Sequence, residues 1–492
     1  MRTDPFSLKT GVSIHLPGGY PLATVQRNMV VMKFGGSSLV DAARIGRAAQ
    51  NVAAAREHDT VVVVVSAMGG VTDLLERAAR SGTSSGMQAA NQIVATVMER
   101  HETALRDLCG AHATAAIVAL RSIGGELTSI LHGIALVGEC TARSMDVVLS
   151  FGERLSALVF AAVLSQAGAA AEAVDARSLI VTDAMHGSAQ VEVPESYRRI
   201  AAHVSGADLL PVITGFIAAT AEGITTTLGR DGSDYTASLV AAAVDADRVE
   251  IWTDVDGVQS ADPRIVPGAF VIPELEPEEA MEMAYFGAKV IHPYALLPAL
   301  DRNIPIFIKN SLNPSAAGTK IARAAASHGR MITGLASIDD VALLNVHGGG
   351  MIGVPGIAAR VFTALAAAGV NIVMISQASS EHSICLCIRQ READKARAAV
   401  EAELAHELAG RRVQAIDLST DLEIIAVIGD GMRGRPGMSG LLFGALGAQD
   451  VNVLAIAQGS SERNISFVVR AGDAKRAVCA IHDAFLGAEV AR

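Results

Sequence analysis

Two rhythms of apolar and polar positions divide the chain. Up to about residue 310, short runs of β-branched residues alternate with longer Ala-rich stretches of helical period. VVMKF predicts a strand, followed by a helix at about 39–55; VVVVVSA (61–67) predicts the next, followed by a helix at about 71–80. Ala-rich stretches at roughly 87–108, 113–136 and 151–168 read as helices. LLPVITGFIA (209–218) reads as a strand, 233–244 as a helix, VEIWTDV (249–255) as a strand, 278–288 as a helix and IPIFIKN (304–310) as a strand. Wholly apolar strands separated by helices imply a mainly parallel sheet covered on both faces, an α/β sandwich.

The last third carries an internal repeat with an offset of 81 residues. Residues 353–388 align without gaps on 434–469, and Gly353, Pro355, Gly356, Phe362, Val370, Asn371, Gln377 and Glu381 each meet the same residue 81 positions later. Each copy reads strand, Gly/Pro loop, helix, strand, turn, strand, a small α+β unit present twice. The expected division is an extension at 1–28, an α/β domain at 29–325 and the two copies at 335–412 and 416–492. Met29 and Met32 are alternative starts. A bare duplication also fits a pair of dimerisation modules.

Composition narrows the function classes. The chain is 50% hydrophobic and 18% charged, an ordinary globular balance, and 40 basic against 51 acidic residues give a net charge of −11. That surplus argues against a nucleic-acid partner, whose phosphates demand a basic surface. Five cysteines without a CxxC spacing suggest reduced thiols in the cytoplasm and no metal site. No uninterrupted apolar run reaches the ~18 residues of a membrane helix, and the N-terminus lacks the apolar core of a secretory signal.

Candidate chemistry sits where strands end. Lysine is scarce, seven against 33 arginines, yet Lys33 stands between the first strand and Gly35-Gly36-Ser37-Ser38. Glycines let backbone N–H groups approach an anion, and Ser37 or Ser38 is placed to cap the next helix. The lysine precedes the glycines, so this is no Walker A loop, and KFGGSS by itself also fits a plain strand–turn–helix. A second glycine loop opens a helix at Gly229-Arg230-Asp231-Gly232-Ser233-Asp234. Here Arg230 can fork onto a carboxylate, and Ser233 and Asp234 can point at an anion or hold its metal. The bland reading is an N-cap with a salt bridge. Thr253-Asp254 and Asp262-Pro263-Arg264 follow a further apolar strand, at the edge where parallel sheets bind ligands. Lys289 in YFGAKVIHP has apolar or small neighbours, and Glu153 in FGERLSA is a site candidate or half of a surface pair with Arg154.

Taken in order, KFGGSS, SAMGGVTDLL, FGERLSA, TGF, TLGRDGSDYTA, IWTDVDGV, SADPR and FGAKVIHP resemble the aspartate kinases, over about residues 29–490. The repeated unit looks like their tandem ACT regulatory domains. The C-terminal blocks are most similar to the kinase part of bifunctional aspartokinase–homoserine dehydrogenases. The resemblance implies the amino-acid-kinase fold and transfer of a phosphoryl group from ATP, with Mg²⁺, to the side-chain carboxylate of L-aspartate. It implies that Lys33 with Gly35, Gly36 and Ser37 contacts the phosphates, that Asp234 with Ser233 organises the phosphate or Mg²⁺ side, and that Arg230 clamps the α-carboxylate. Glu153 then receives the ammonium, Thr72 and Phe216 line the substrate pocket, and Thr253, Asp254, Asp262, Arg264 and Lys289 line the nucleotide. Gln259 stands where the family usually has a Tyr. The resemblance further implies a homo-oligomer joined through the ACT domains and a feedback effector, threonine rather than lysine, read by Gln377 and Gln458 with Asn371 and Asn452. The alternatives are another carboxylate or carbamate kinase of the superfamily and a non-catalytic amino-acid sensor.

Overall fold

The structure is a computed structural model that describes residues 27–84, 86–287, 293–323, 330–351, 354–377 and 383–487. It divides into two compact units.

The first unit is built on the alternating rhythm. Its strands are β1 Met29–Phe34, β2 Thr60–Val65, β3 Ala171–Val174, β4 Val181–Thr182, β5 Leu210–Thr214, β6 Ile217–Thr220, β7 Thr225–Thr227, β8 Arg248–Thr253, β9 Glu274–Leu275, β10 Ile306–Asn310 and β11 Thr319–Ile321. Eight of them form one sheet in the order β3-β5-β2-β1-β8-β10-β11-β9, parallel except for the β10–β11 pair; β4, β6 and β7 form a small second sheet. Strand β1 lies mid-sheet, with Phe34 level with Val65 of β2 and Trp252 of β8. The run at 209–218, read as one strand, is broken at Gly215-Phe216, where Phe216 takes φ 67°. That turn ends β5 and lets β6 join the second sheet.

The helices of this unit are α1 Ala42–Arg56, α2 Val71–Ser84, α3 Met87–Cys109, α4 Thr114–Val137, α5 Ala142–Gln166, α6 Val193–Ser205, α7 Gly232–Val244 and, after the excursion described below, a short helix at Pro293–Asp301. Helix α1 is capped by Asp41, whose carboxylate accepts from Arg44 N at 2.9 Å, not by Ser37 or Ser38 as the sequence suggested. Those serines lie in a short 3₁₀ turn ahead of it, with Ser38 buried and bonded to Ser311 Oγ at 2.8 Å. Helix α5 begins nine residues before the predicted start, because its polar first turn hides the period. Helix α7 packs on β1, β2 and β8, and α5 packs on β3 and β5. The core gathers Phe34, Phe160 and Trp252, with the Phe34 ring 5.4 Å from Phe160 and 6.0 Å from Trp252. By length and mean hydropathy two helical stretches, Met87–Val137 and Ala142–Gln166, are long enough to cross a membrane; 72% of the apolar window of the second is buried in the protein, the pattern of a core helix.

The second unit holds the repeat, and it also takes in Gln259–Ile272 and residues 278–287. Its strands are β12 Gly334–His347, β13 Ile372–Gln377, β14 Ser383–Arg389, β15 Ala415–Ile428, β16 Ala455–Gln458 and β17 Asn464–Arg470, in one antiparallel sheet ordered β13-β14-β12-β15-β17-β16. Each copy keeps the predicted strand–helix–strand–strand order and adds a helix after it. The two long strands belong to both copies: the second half of β12 pairs with β14 and the first half of β15, while the first half of β12 pairs with the second half of β15. The register shifts between these halves, and Asp340 and Asp421, 81 residues apart, both take a left-handed φ there, 56° and 57°. Ala261, Val266 and Phe270 of the 259–272 segment pack with Leu335, Ile425 and Ile481 in this unit.

Candidate active site

The last residues of β1 set the centre of the site. Lys33 points from the mid-sheet strand into a buried position, and its Nζ lies 2.7 Å from Asp234 Oδ1 in the first turn of α7. Both side chains are more than nine-tenths buried. Burial pushes the Asp234 carboxyl above the usual range, and the Lys33 charge opposes that shift. The strand then turns into Gly35 and Gly36. Gly35 N donates to Trp252 O at 3.2 Å, and a Cβ on Gly36 would stand 3.2 Å from Ala67 O, so the KFGGSS and SAMGG loops lie backbone against backbone. Arg100 of α3 straps them, donating to Val40 O at 3.1 Å and to Gly69 O at 2.8 Å.

Glu153 reaches the same loops from α5. A Cβ on the preceding Gly152 would fall 2.8 Å from that of Ala67, so only glycine lets the helix come this close. Glu153 Oε1 accepts from Ala67 N at 3.0 Å, while the buried Oε2 has no hydrogen-bond partner. Burial raises this carboxyl to about 8, against the opposing pull of the Ala67 N–H and the Lys33 charge. A buried carboxyl with one unpartnered oxygen gains a partner when a cation arrives, and the cation's charge favours release of its proton.

A cavity of about 340 Å³ opens nearby, lined by Asp146, Phe216, Thr227, Gly229 and Arg230 among others. The Arg230 side chain is 80% exposed, with Asp231 3.8 Å away, so its guanidinium is available to a ligand. Ser233 and Asp234 are buried at the α7 N-terminus, Thr72 is half-buried in the first turn of α2, and Thr253 Oγ1 bonds Asp254 Oδ1 at 3.2 Å at the end of β8. Ser37 sits in the 3₁₀ turn, its carbonyl accepting from Arg44. Asp262 and Arg264 belong to the second unit, where they pair with each other at 2.6 Å. Lys289 lies outside the described residues. Gln377 and Gln458 end β13 and β16 with exposed side chains; Asn371 and Asn452, also exposed, precede those strands. Of Gln377–Glu381, only Gln377 is described.

Sequence reasoning missed Arg100, Asp146 and His186. Asp146 is one helical face from Glu153, seven residues ahead of it, which was the available signal. Among the described residues no group of three or more His, Cys, Asp and Glu side chains is arranged to hold a metal ion.

Residues 28–310 match the amino acid kinase family, and 344–404 and 425–485 match the ACT domain. The chain is 38% identical over 482 residues to bifunctional aspartokinase/homoserine dehydrogenase 1 of Arabidopsis thaliana, covering 96% of this chain and 52% of that protein. It is 37% identical to the Haemophilus influenzae bifunctional enzyme, covering 93% and 56%. The chain thus spans about half the length of these curated relatives. Against aspartokinase 1 of Arabidopsis it is 34% identical, covering 92% of this chain and 80% of that one. The structure superposes on E. coli aspartokinase III, solved with aspartate and ADP, with TM-score 0.77 and 31% identity over 93% of this chain and 99% of that one. The same E. coli enzyme was also solved with lysine and aspartate.

One prediction concerns Glu153. The folded chain holds that proton to about pH 8, whereas an unfolded glutamate releases it near 4.5. Between these values the folded state binds more protons, so this group makes stability fall as pH rises. Glu153→Gln removes that slope: melting temperatures measured without ligand should favour the variant more at pH 8 than at pH 5.5. Parallel melting curves across pH would contradict the assignment. With the fold, the loops and the matches in agreement, the chain belongs to the amino acid kinase family, among its aspartokinases.

Proposed function

We propose that the chain is an aspartate kinase, converting ATP and L-aspartate to ADP and 4-phospho-L-aspartate at the head of lysine, threonine and methionine synthesis. The observation that carries the reading is the buried Lys33–Asp234 pair at the mouth of a glycine loop. It supplies a positive charge held ready, in a site where charge contacts are strong. The β-carboxylate of aspartate is already ionised at neutral pH, so no general base is required. Catalysis is then positioning and charge neutralisation of an in-line transfer.

In this reading Lys33 contacts the transferring phosphoryl group together with the Gly35 and Gly36 amides and Ser37. Asp234 orients Lys33 and, with Ser233, organises the phosphate side. Arg230 forks onto the α-carboxylate. Glu153 receives the ammonium through its unpartnered oxygen, which favours an amino acid over a carbamate as acceptor. Thr72 and Phe216 line the substrate pocket, and Thr253 and Asp254 line the nucleotide. The assignment of Asp262, Arg264 and Lys289 to the nucleotide rests on motif order alone. A Mg²⁺ ion entering with ATP would take its ligands mainly from phosphate oxygens and water, with Asp234 as the nearby carboxylate. The aspartate and ADP held by the E. coli neighbour support this choice of substrates.

The repeat is proposed to sense threonine. Gln377 and Gln458 end equivalent strands, and Ser376 Oγ donates to Ile456 O at 2.8 Å, so β13 and β16, the two ends of the sheet order, meet at that point. A Gln amide both donates and accepts, which suits a small polar amino acid, and Asn371 and Asn452 add to it. The lysine complex of the E. coli neighbour supports an amino-acid effector without fixing which one. Ile375 and Ile456, 49% and 45% exposed at equivalent repeat positions, are where we expect copies of the chain to join into a homo-oligomer.

The test of the activity is hydroxamate formation from ATP and Mg²⁺ with aspartate, glutamate or no acceptor. Turnover confined to aspartate is expected; turnover with another acceptor, or none, overturns the reading. In the same assay Arg230→Ala should raise KM for aspartate about tenfold or more while KM for ATP stays within twofold, and an equal rise in both would refute the carboxylate clamp. Threonine should inhibit at millimolar concentration, a coupling of ~1–3 kcal/mol, and Gln377→Ala should weaken that inhibition. Inhibition by lysine alone would keep the sensor and replace its ligand.

A further inference from the structure

Asp146 is a buried carboxylate that gathers donors from three other residues. Its Oδ1 accepts from Thr227 Oγ1 at 2.6 Å and from Gly187 N at 3.1 Å, and its Oδ2 faces His186 Nδ1 at 2.7 Å. An ionised carboxylate only accepts, so Nδ1 carries the proton. The Asp146 side chain is 1% exposed and that of His186 15%. This is a built cluster, and the phosphoryl transfer described above makes no use of it.

Its place in the fold gives it a role. Asp146 lines the same cavity as Phe216, Gly229 and Arg230. It stands on α5 two turns before Glu153, while Thr227 ends β7, three residues before Arg230. One carboxylate therefore ties the helix that carries the ammonium receptor to the strand that delivers the guanidinium. The cluster also meets an electrostatic need. A bare carboxylate in this wall would repel an entering dicarboxylate. Three N–H and O–H donors are turned onto Asp146 and offset part of that charge.

We propose that His186 and Asp146 form a positioning pair for the acceptor substrate, setting the distance from Glu153 to Arg230 and masking the Asp146 charge so that a second carboxylate can enter. The inference rests on the aspartate-kinase reading. Neither residue touches the reacting atoms, so both act through Arg230 and Glu153.

The test compares the wild-type enzyme with His186→Leu, which loses the donor, His186→Asn, whose amide N–H stands where Nδ1 stood, and Thr227→Val, which removes a different donor to the same carboxylate. Steady-state KM for aspartate, KM for ATP, kcat and melting temperature are measured for each. The Leu variant should raise KM for aspartate about tenfold with kcat and KM for ATP within twofold. The Asn variant should return KM to within threefold of wild type, and the Val variant should show the Leu pattern more weakly. A purely structural role would move kcat, both KM values and the melting temperature together, and that result overturns the proposal. So does an unchanged KM for aspartate in the Leu and Val variants, or an Asn variant no better than Leu. Should the Leu variant fail to fold, the Thr227→Val pattern decides. Absence of wild-type turnover with aspartate would bring down the kinase reading and this proposal together, whereas wild-type turnover with an unmoved KM refutes the proposal alone.

Discussion

The ion pair between Lys33 and Asp234 is the constraint around which the first unit is arranged. Two opposite charges more than nine-tenths buried are costly to desolvate, and removing one leaves the other stranded at a cost of ~3–5 kcal/mol. The pair therefore requires β1 and the first turn of α7 to stay in one relation. Lys33 can reach Asp234 because β1 is a central strand, flanked by β2 and β8 in parallel register. It can meet an anion because glycines follow it. Burial pushes the Asp234 carboxyl up, and the Lys33 ammonium 2.7 Å away pulls against that shift.

Around this pair the other polar groups fall into a gradient from fixed to available. Asp146 is saturated by three donors. Glu153 is half-satisfied, with one oxygen on Ala67 N and one unpartnered. Arg230 is exposed. Saturated groups set geometry, half-satisfied buried groups bind strongly because they gain a partner, and exposed charged groups adapt to what arrives. The second unit is organised by a different constraint, shared strands. Since β12 and β15 each serve both copies of the repeat, a change in either copy is felt along a strand belonging to the other.

Much of this was legible in the sequence, for reasons that can be named. Apolar strands buried on both faces declare themselves as uninterrupted β-branched runs, and the 81-residue offset exposed the duplication directly. The motif loops were legible because Gly, Lys, Asp and Arg at strand ends are chemically conspicuous. What was hidden depended on contacts across long separations. Asp146 meets residues 40 and 81 positions away. Arg100 of α3 straps loops 31 and 60 residues upstream. The break at Phe216 was masked by an apolar run that continued through it. The 259–272 segment reads as part of the first domain by position, yet Ala261, Val266 and Phe270 find their apolar partners in the second unit. Spacing along the chain carries no record of which core a loop will join.

The central claim is that Lys33 and Asp234 act as one device in phosphoryl transfer, and a double-mutant cycle measures this directly. The kcat for aspartyl phosphate formation would be determined for wild type, Lys33→Met, Asp234→Asn and the double variant, with melting temperatures to confirm folding. The account predicts that Lys33→Met alone lowers kcat by ~10²–10³, and that adding Asp234→Asn costs little more, because the carboxylate works through the lysine it holds. Independent, additive losses, or a near-normal kcat in Lys33→Met, would contradict it.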